Sequence, residues 1–220
     1  MLPEHQEKVK HITKDLSSIA KTIMSTHKSA LEFFQAGDAS SLANIKEQLK
    51  GIPEEANRID NEVVKVLALF EPEASELRSL VATLKITNEL IRIASAAVKY
   101  SKHMRINLEH TNFEFKYIKD YIEQLHIATI NSLEYAISSI ESQDEEFEDL
   151  YRKVMIEESK TDDLLSLIEK DVLINNSDSH LEEYVNILVT VRKLERAADH
   201  SVNIAKLIYY AKKGGKIESF

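Results

Sequence analysis

The chain has 220 residues, a formal net charge of −9, 43% hydrophobic residues and no cysteine. That supports a sizeable core but excludes a disulfide framework, a thiolate metal site and a cysteine nucleophile; no basic stretch has the density that nucleic-acid binding requires. No apolar run approaches the ~20 residues that span a bilayer, and Met1-Leu2-Pro3-Glu4-His5-Gln6 lacks the basic and apolar segments of a signal peptide, so a cytoplasmic protein without membrane insertion is expected.

Only 4 Gly and 3 Pro occur. Strand-rich folds need frequent turn residues, so this scarcity favours an all-α chain of long helices. Pro3 suits a helix start, and Ile12, Leu16, Ile19, Ile23, Leu31 and Phe34 recur at helical spacing to about Ala36. Gly37-Asp38 ends that helix and caps the next. The second helix is expected from Ser40 to Phe70, kinked or broken near Gly51-Ile52-Pro53. Pro72 opens a third, with Glu73 and Glu76 near its positive end, reaching at least His103. Asn107 to Asn112 is the most loop-like part of the middle. A fourth helix runs to about Ser142, Gln143-Asp144 turns, and a fifth reaches about Leu173. Asn175 to Ser179 reads as a loop, and the sixth helix continues to Lys213, ended by Gly214-Gly215. In each of the aromatic pairs Phe33-Phe34 and Tyr209-Tyr210, at least one ring is expected in the core.

The breaks of the two halves line up, and Asn88 to Ser95 lies over Arg192 to Asp199. This points to an internal duplication. The expected fold is six long helices as a tandem pair of antiparallel three-helix bundles, residues 1–108 and 109–220.

One stretch carries chemistry: Leu194-Glu195-Arg196-Ala197-Ala198-Asp199-His200-Ser201-Val202-Asn203-Ile204-Ala205. Glu195 and Asp199 are four residues apart, which on a helix puts two carboxylates on one face within reach of one cation. A metal site needs a second pair from elsewhere. His200 either joins such a site or packs as an ordinary histidine. Arg196 and Arg92 occupy matching positions, each suited to a salt bridge or to a phosphate oxygen. Asn203 either bonds between helices or faces water. There is no Gly-rich phosphate loop, GxSxG or HExxH, and no nucleophile–base constellation, so no enzyme activity is expected.

The chain resembles the PhoU family of phosphate-transport accessory proteins. Phe70-Glu71-Pro72, Leu77 to Val81 and Leu84 to Leu90 carry the likeness in the first half. Leu194 to Ala205, close to the family signature LERIGDHAxNIA, carries it in the second. The resemblance implies a metal site on each bundle, built from E/DxxxD motifs on its middle and last helices. It implies a divalent or trivalent ion, iron foremost, with manganese or magnesium as alternatives. It also implies a homodimer that acts with the ATPase of a phosphate ABC transporter and with a sensor histidine kinase.

Carried over residue by residue, the second-half motifs are Glu158 with Asp162 and Glu195 with Asp199, Asp163 being an alternative ligand. In the first half the equivalent positions fall on Leu49 and Pro53, then Ile91 and Ser95, none of them a carboxylate. One metal-binding repeat and one degenerate repeat are therefore expected. Four converging carboxylates repel one another unless a cation neutralises them, and all-oxygen ligands suit hard ions. The leading functional reading is a regulatory adaptor of phosphate uptake and phosphate-starvation signalling. The alternatives are a metal-binding or metal-dependent hydrolytic protein, and a helical module with changed partners.

Overall fold

The structure is a computed structural model that describes residues 3–109, 118–174 and 181–215. Six long helices carry the fold: α1 (Pro3–Ala36), α4 (Ile52–Leu69), α5 (Ala74–Glu109), α6 (Lys119–Glu141), α7 (Asp144–Ile174) and α8 (Leu181–Lys213). Two single-turn pieces, α2 (Ala39–Leu42) and α3 (Ile45–Gln48), lie between the first two.

The punctuation residues act through identifiable bonds. Gly37 takes φ +68° with nothing near its Cα, the left-handed conformation that terminates a helix. Its N–H donates to the Phe34 carbonyl and the Asp38 N–H to that of Phe33, satisfying two end carbonyls of α1. The Asp38 carboxylate then accepts from the Ser41 N–H at 3.0 Å and the Ser40 hydroxyl at 2.7 Å. Those bonds lower its pKa to about 2. At the start of α5, Glu76 accepts from the Glu73 N–H at 3.2 Å; the helix begins at Ala74, two residues beyond Pro72.

The break expected near Gly51-Ile52-Pro53 is present: α3 ends at Gln48 and α4 starts at Ile52, with Pro53 in its first turn, where its missing N–H costs nothing. Other expectations, on either side of Pro53, need correction. The segment before it is not one helix but the short α2 and α3. Helix α5 runs through Asn107 to Glu109, and Asn107 donates to the Thr190 hydroxyl of α8 at 3.4 Å. The junction beyond it, like the loop at Asn175 to Ser179, lies outside the described residues. Of the aromatic pairs, Phe34 is 1% exposed and in the core, but Tyr209 is 45% exposed, lying over the buried Phe147 and beside Tyr151, and Tyr210 is only partly buried.

Helices α1, α4 and α5 form one three-helix bundle and α6, α7 and α8 the other, each helix touching both companions. The bundles join through α5 against α8, the most extensive contact of the fold, and α1 against α6. One continuous core runs through both.

Burial fixes how the repeats superimpose. Leu90, Ile93, Ala94, Ala97, Tyr100, Ser101 and Met104 are buried on α5; so are the residues 104 positions later on α8, Leu194, Ala197, Ala198, Ser201, Ile204, Ala205 and Ile208. On the middle helices, Ile52, Ile59 and Val66 correspond to Val154, Thr161 and Ile168, 102 positions on. On the first helices, Leu16, Ile23 and Ala30 correspond to Ile122, Thr129 and Ala136, 106 positions on. Each series keeps the phase of the helix face toward the core. Among the described residues, no helix is long and apolar enough to cross a membrane.

Candidate metal centre

Glu158 and Asp162 lie one turn apart on α7, and Glu195 and Asp199 one turn apart on α8. The helices present these turns to each other because the residues between them are interior. Thr161 on α7, and Leu194, Ala197 and Ala198 on α8, are fully buried. The Thr161 hydroxyl bonds back to the Glu158 carbonyl at 2.7 Å, so it leaves no open donor in the interface. On the other side of α8, the Thr129 hydroxyl of α6 reaches the Leu194 carbonyl at 3.2 Å.

Ligand oxygens of Glu158, Asp162 and Asp199 lie within 4.8 Å of one another. Glu195 belongs to the same electrostatic group. Its pKa rises to about 7, first by burial and then by the charges of Asp199 and Asp162, with Arg196 and Arg192 opposing. Asp199 is raised by burial and by Asp162, while His200, Arg196 and a hydrogen bond with Glu195 pull the other way. Glu158 is raised by burial, Asp162 and Asp199, with Lys206 opposing. Three acids held above their ordinary range, by burial first and then by neighbouring carboxylates with Asp162 common to all three, mark an under-neutralised cluster. Asp162, and not Asp163, is the member from its turn, both being exposed.

The polar residues nearby have definite partners. His200 Nδ1 lies 2.7 Å from a Glu89 oxygen on α5, and the same oxygen accepts from the Asn203 amide at 3.2 Å. His200 is thus a half-buried partner of Glu89 and does not belong to the acidic group. Asn203 bonds between helices. Arg192 reaches Glu169 on α7 at 2.7 Å, bracing the same helix pair. Sequence reading gave Glu89 no role, because its partners lie more than a hundred positions away.

In the first bundle Leu49 is buried just past α3 and Pro53 is exposed at the start of α4, so neither occupies a ligand position. The burial register instead sets Ala56 and Asp60 opposite Glu158 and Asp162. Leu49 and Pro53 lie about two helical turns before Ala56 and Asp60. Asp60 is therefore one carboxylate that the first bundle retains. It accepts from the Thr87 hydroxyl at 2.8 Å, a bond that holds its pKa down while burial raises it. With Ala56, Ile91 and Ser95 at the other positions, a single acid faces no second one.

Fold and site together define an all-α tandem-repeat protein with paired ExxxD turns on the last two helices of its second bundle. The chain belongs to the PhoU family: the PhoU domain matches residues 16–104 and again residues 122–208. It is similar to the phosphate-specific transport system accessory protein PhoU homolog 1 of Methanothermobacter thermautotrophicus, 23% identical over 212 residues covering 91% of this chain and 90% of that protein. The PhoU homolog of Borreliella burgdorferi is 26% identical over 221 residues, covering 98% and 96%. The crystal structure of PhoU from Pseudomonas aeruginosa superimposes with a TM-score of 0.84 over 96% of this chain and 99% of that one, at 20% identity.

Proposed function

We propose that this chain is a non-enzymatic regulatory adaptor of phosphate uptake and phosphate-starvation signalling. It works in the cytoplasm as a homodimer of two-repeat chains, repeats 1–108 and 109–220, and the second repeat carries a metal ion. The observation that carries the reading is the convergence of Glu158, Asp162 and Asp199, with Glu195 beside them. An all-oxygen donor set without cysteine, with His200 engaged by Glu89, fits a hard cation: iron foremost, then manganese or magnesium. The ion would supply the positive charge that lets four carboxylates share one patch. Helices α7 and α8 leave Ile156, Leu167, Val185 and Val189 exposed, an apolar face suited to a second copy.

Family membership and the names of the relatives support the adaptor role. The expected partners are the ATPase of a phosphate ABC transporter and a sensor histidine kinase. Co-expression should recover at least one of them with the tagged chain, and less of it after Asp199→Asn. Recovery of neither would sink the adaptor reading. Hydrolysis of a phosphomonoester with added Mn²⁺, abolished by Glu195→Gln, would overturn the non-enzymatic part.

A further inference from the structure

The repeat register of α5 and α8 pairs unlike polar residues around Glu89. In the register of 104 positions, Glu89 corresponds to Lys193, Arg92 to Arg196, Ala96 to His200 and Lys99 to Asn203. On one side of the helix crossing, Glu89 takes the hydrogen bonds of His200 and Asn203. On the related side the same positions hold Lys193, Ala96 and Lys99, and the central acid has become a third kind of partner: another cation. A groove of about 190 Å³ opens there, lined by Arg92, Ser95, Lys99, Lys193, Arg196 and His200. Lys193 lies within the field of Arg196 on its own helix and of Lys99 across the groove.

Among the described residues, none of these four cations forms an ion pair or hydrogen bond with an acid. Glu89 lies near Arg92 and the carboxylates of Glu195 and Asp199 near Arg196, but none of the three lines the groove. In a chain of net charge −9, four cations gathered around one recess repel each other unless an anion joins them. The volume holds one small ion with a few waters, each water occupying about 30 Å³ in the liquid. Two guanidinium forks and two ammonium groups, with the Ser95 hydroxyl, suit the oxygens of a tetrahedral anion.

We propose that this groove between α5 and α8 binds a small tetrahedral oxyanion, of which inorganic phosphate and sulfate are the two simplest members. The site is separate from the carboxylate cluster and does not depend on metal there. Calorimetric titration of the full chain with inorganic phosphate, before and after chelation by EDTA, tests it. Binding should be saturable, on the order of millimolar, and equal in both preparations, with sulfate competing. The double variant Arg92→Gln/Lys99→Gln should weaken it at least about tenfold, the worth of a lost charge-assisted bond, while Arg152→Gln on α7 should not. Lys99→Gln alone gives a smaller loss and serves if the double variant is misfolded. Absence of saturable binding, loss of binding on chelation, or unchanged affinity in these variants would overturn the proposal.

Discussion

Asp199→Asn will raise the melting temperature of the chelated protein and abolish the further rise that Mn²⁺ produces in the wild type. The two effects have opposite signs and one cause. Without a cation, Asp199 shares a patch with Glu158, Asp162 and Glu195, and after burial its charge helps to lift the pKa values of Glu158 and Glu195. Two charges about 4 Å apart at a protein surface interact by about 4 kcal/mol before screening; solvent exposure of this patch cuts the net relief to about 1 kcal/mol. With metal present the balance inverts. An ion at a hundred times its dissociation constant stabilises the folded chain by about 2.7 kcal/mol, and the variant forfeits that. Thermal unfolding in EDTA and in Mn²⁺ reads both terms. A chelated variant less stable than wild type, or one that still responds to Mn²⁺, would contradict the account.

The same cluster has a pH signature. Glu195 is raised from 4.5 to about 7, so the folded, chelated chain takes up a proton that the unfolded chain releases within that window. Its contribution is fully present below 4.5 and lost as pH rises through 7. Protons and metal compete for these oxygens, so metal affinity should fall over the same range as pH is lowered.

Acid should act in the opposite direction through the core. His27 on α1 and His126 on α6 are both fully buried, and their ring nitrogens face each other at 3.4 Å where the two bundles meet. Burial lowers His27 to about 4, the Ile93 backbone opposing slightly, and lowers His126 well below its ordinary value. Tyr100 stacks edge-on against His126, and burial and Glu123 keep its hydroxyl protonated. Both imidazoles are thus neutral in the fold and charge readily once unfolded. The stability they confer is complete above 6.5 and lost as pH falls toward 4. For His27 alone that loss is about 3 kcal/mol at 1.36 kcal/mol per pKa unit, a large part of an ordinary 5–15 kcal/mol.

The repeat register supplies the control. The counterparts of His27 and His126 are Leu133 and Ala20, both buried. His27→Leu/His126→Ala imports that pair. Denaturant unfolding from pH 7 to 4.5 should show a shallower fall in the double variant than in wild type. Parallel curves would mean that the histidines do not carry the acid sensitivity.

The fold was legible because the chain has few turn residues and strong helical periodicity. The loops it named at Gly37 and Gly214 are left-handed glycines in the structure. The second-repeat carboxylates were legible because i,i+4 spacing survives in any straight helix. What escaped was long-range. Glu89 with His200 and the His27–His126 pair join positions about a hundred residues apart, which no local pattern exposes. Asp60 escaped because its place opposite Asp162 is set by the phase of Ile52, Ile59 and Val66, which the buried face of α4 reveals. Tyr209 departed from expectation because a ring can lie over a core ring, here Phe147, and still keep its other side in solvent.

The asymmetry between repeats is the central claim, and metal stoichiometry tests it directly. Wild type, Glu158→Gln/Asp199→Asn and Asp60→Asn should be dialysed to equilibrium against Fe or Mn and assayed for bound metal per chain. Wild type should hold bound metal, Asp60→Asn the same amount, and Glu158→Gln/Asp199→Asn only background levels. Metal retained by the double variant, or lost from Asp60→Asn, would contradict it.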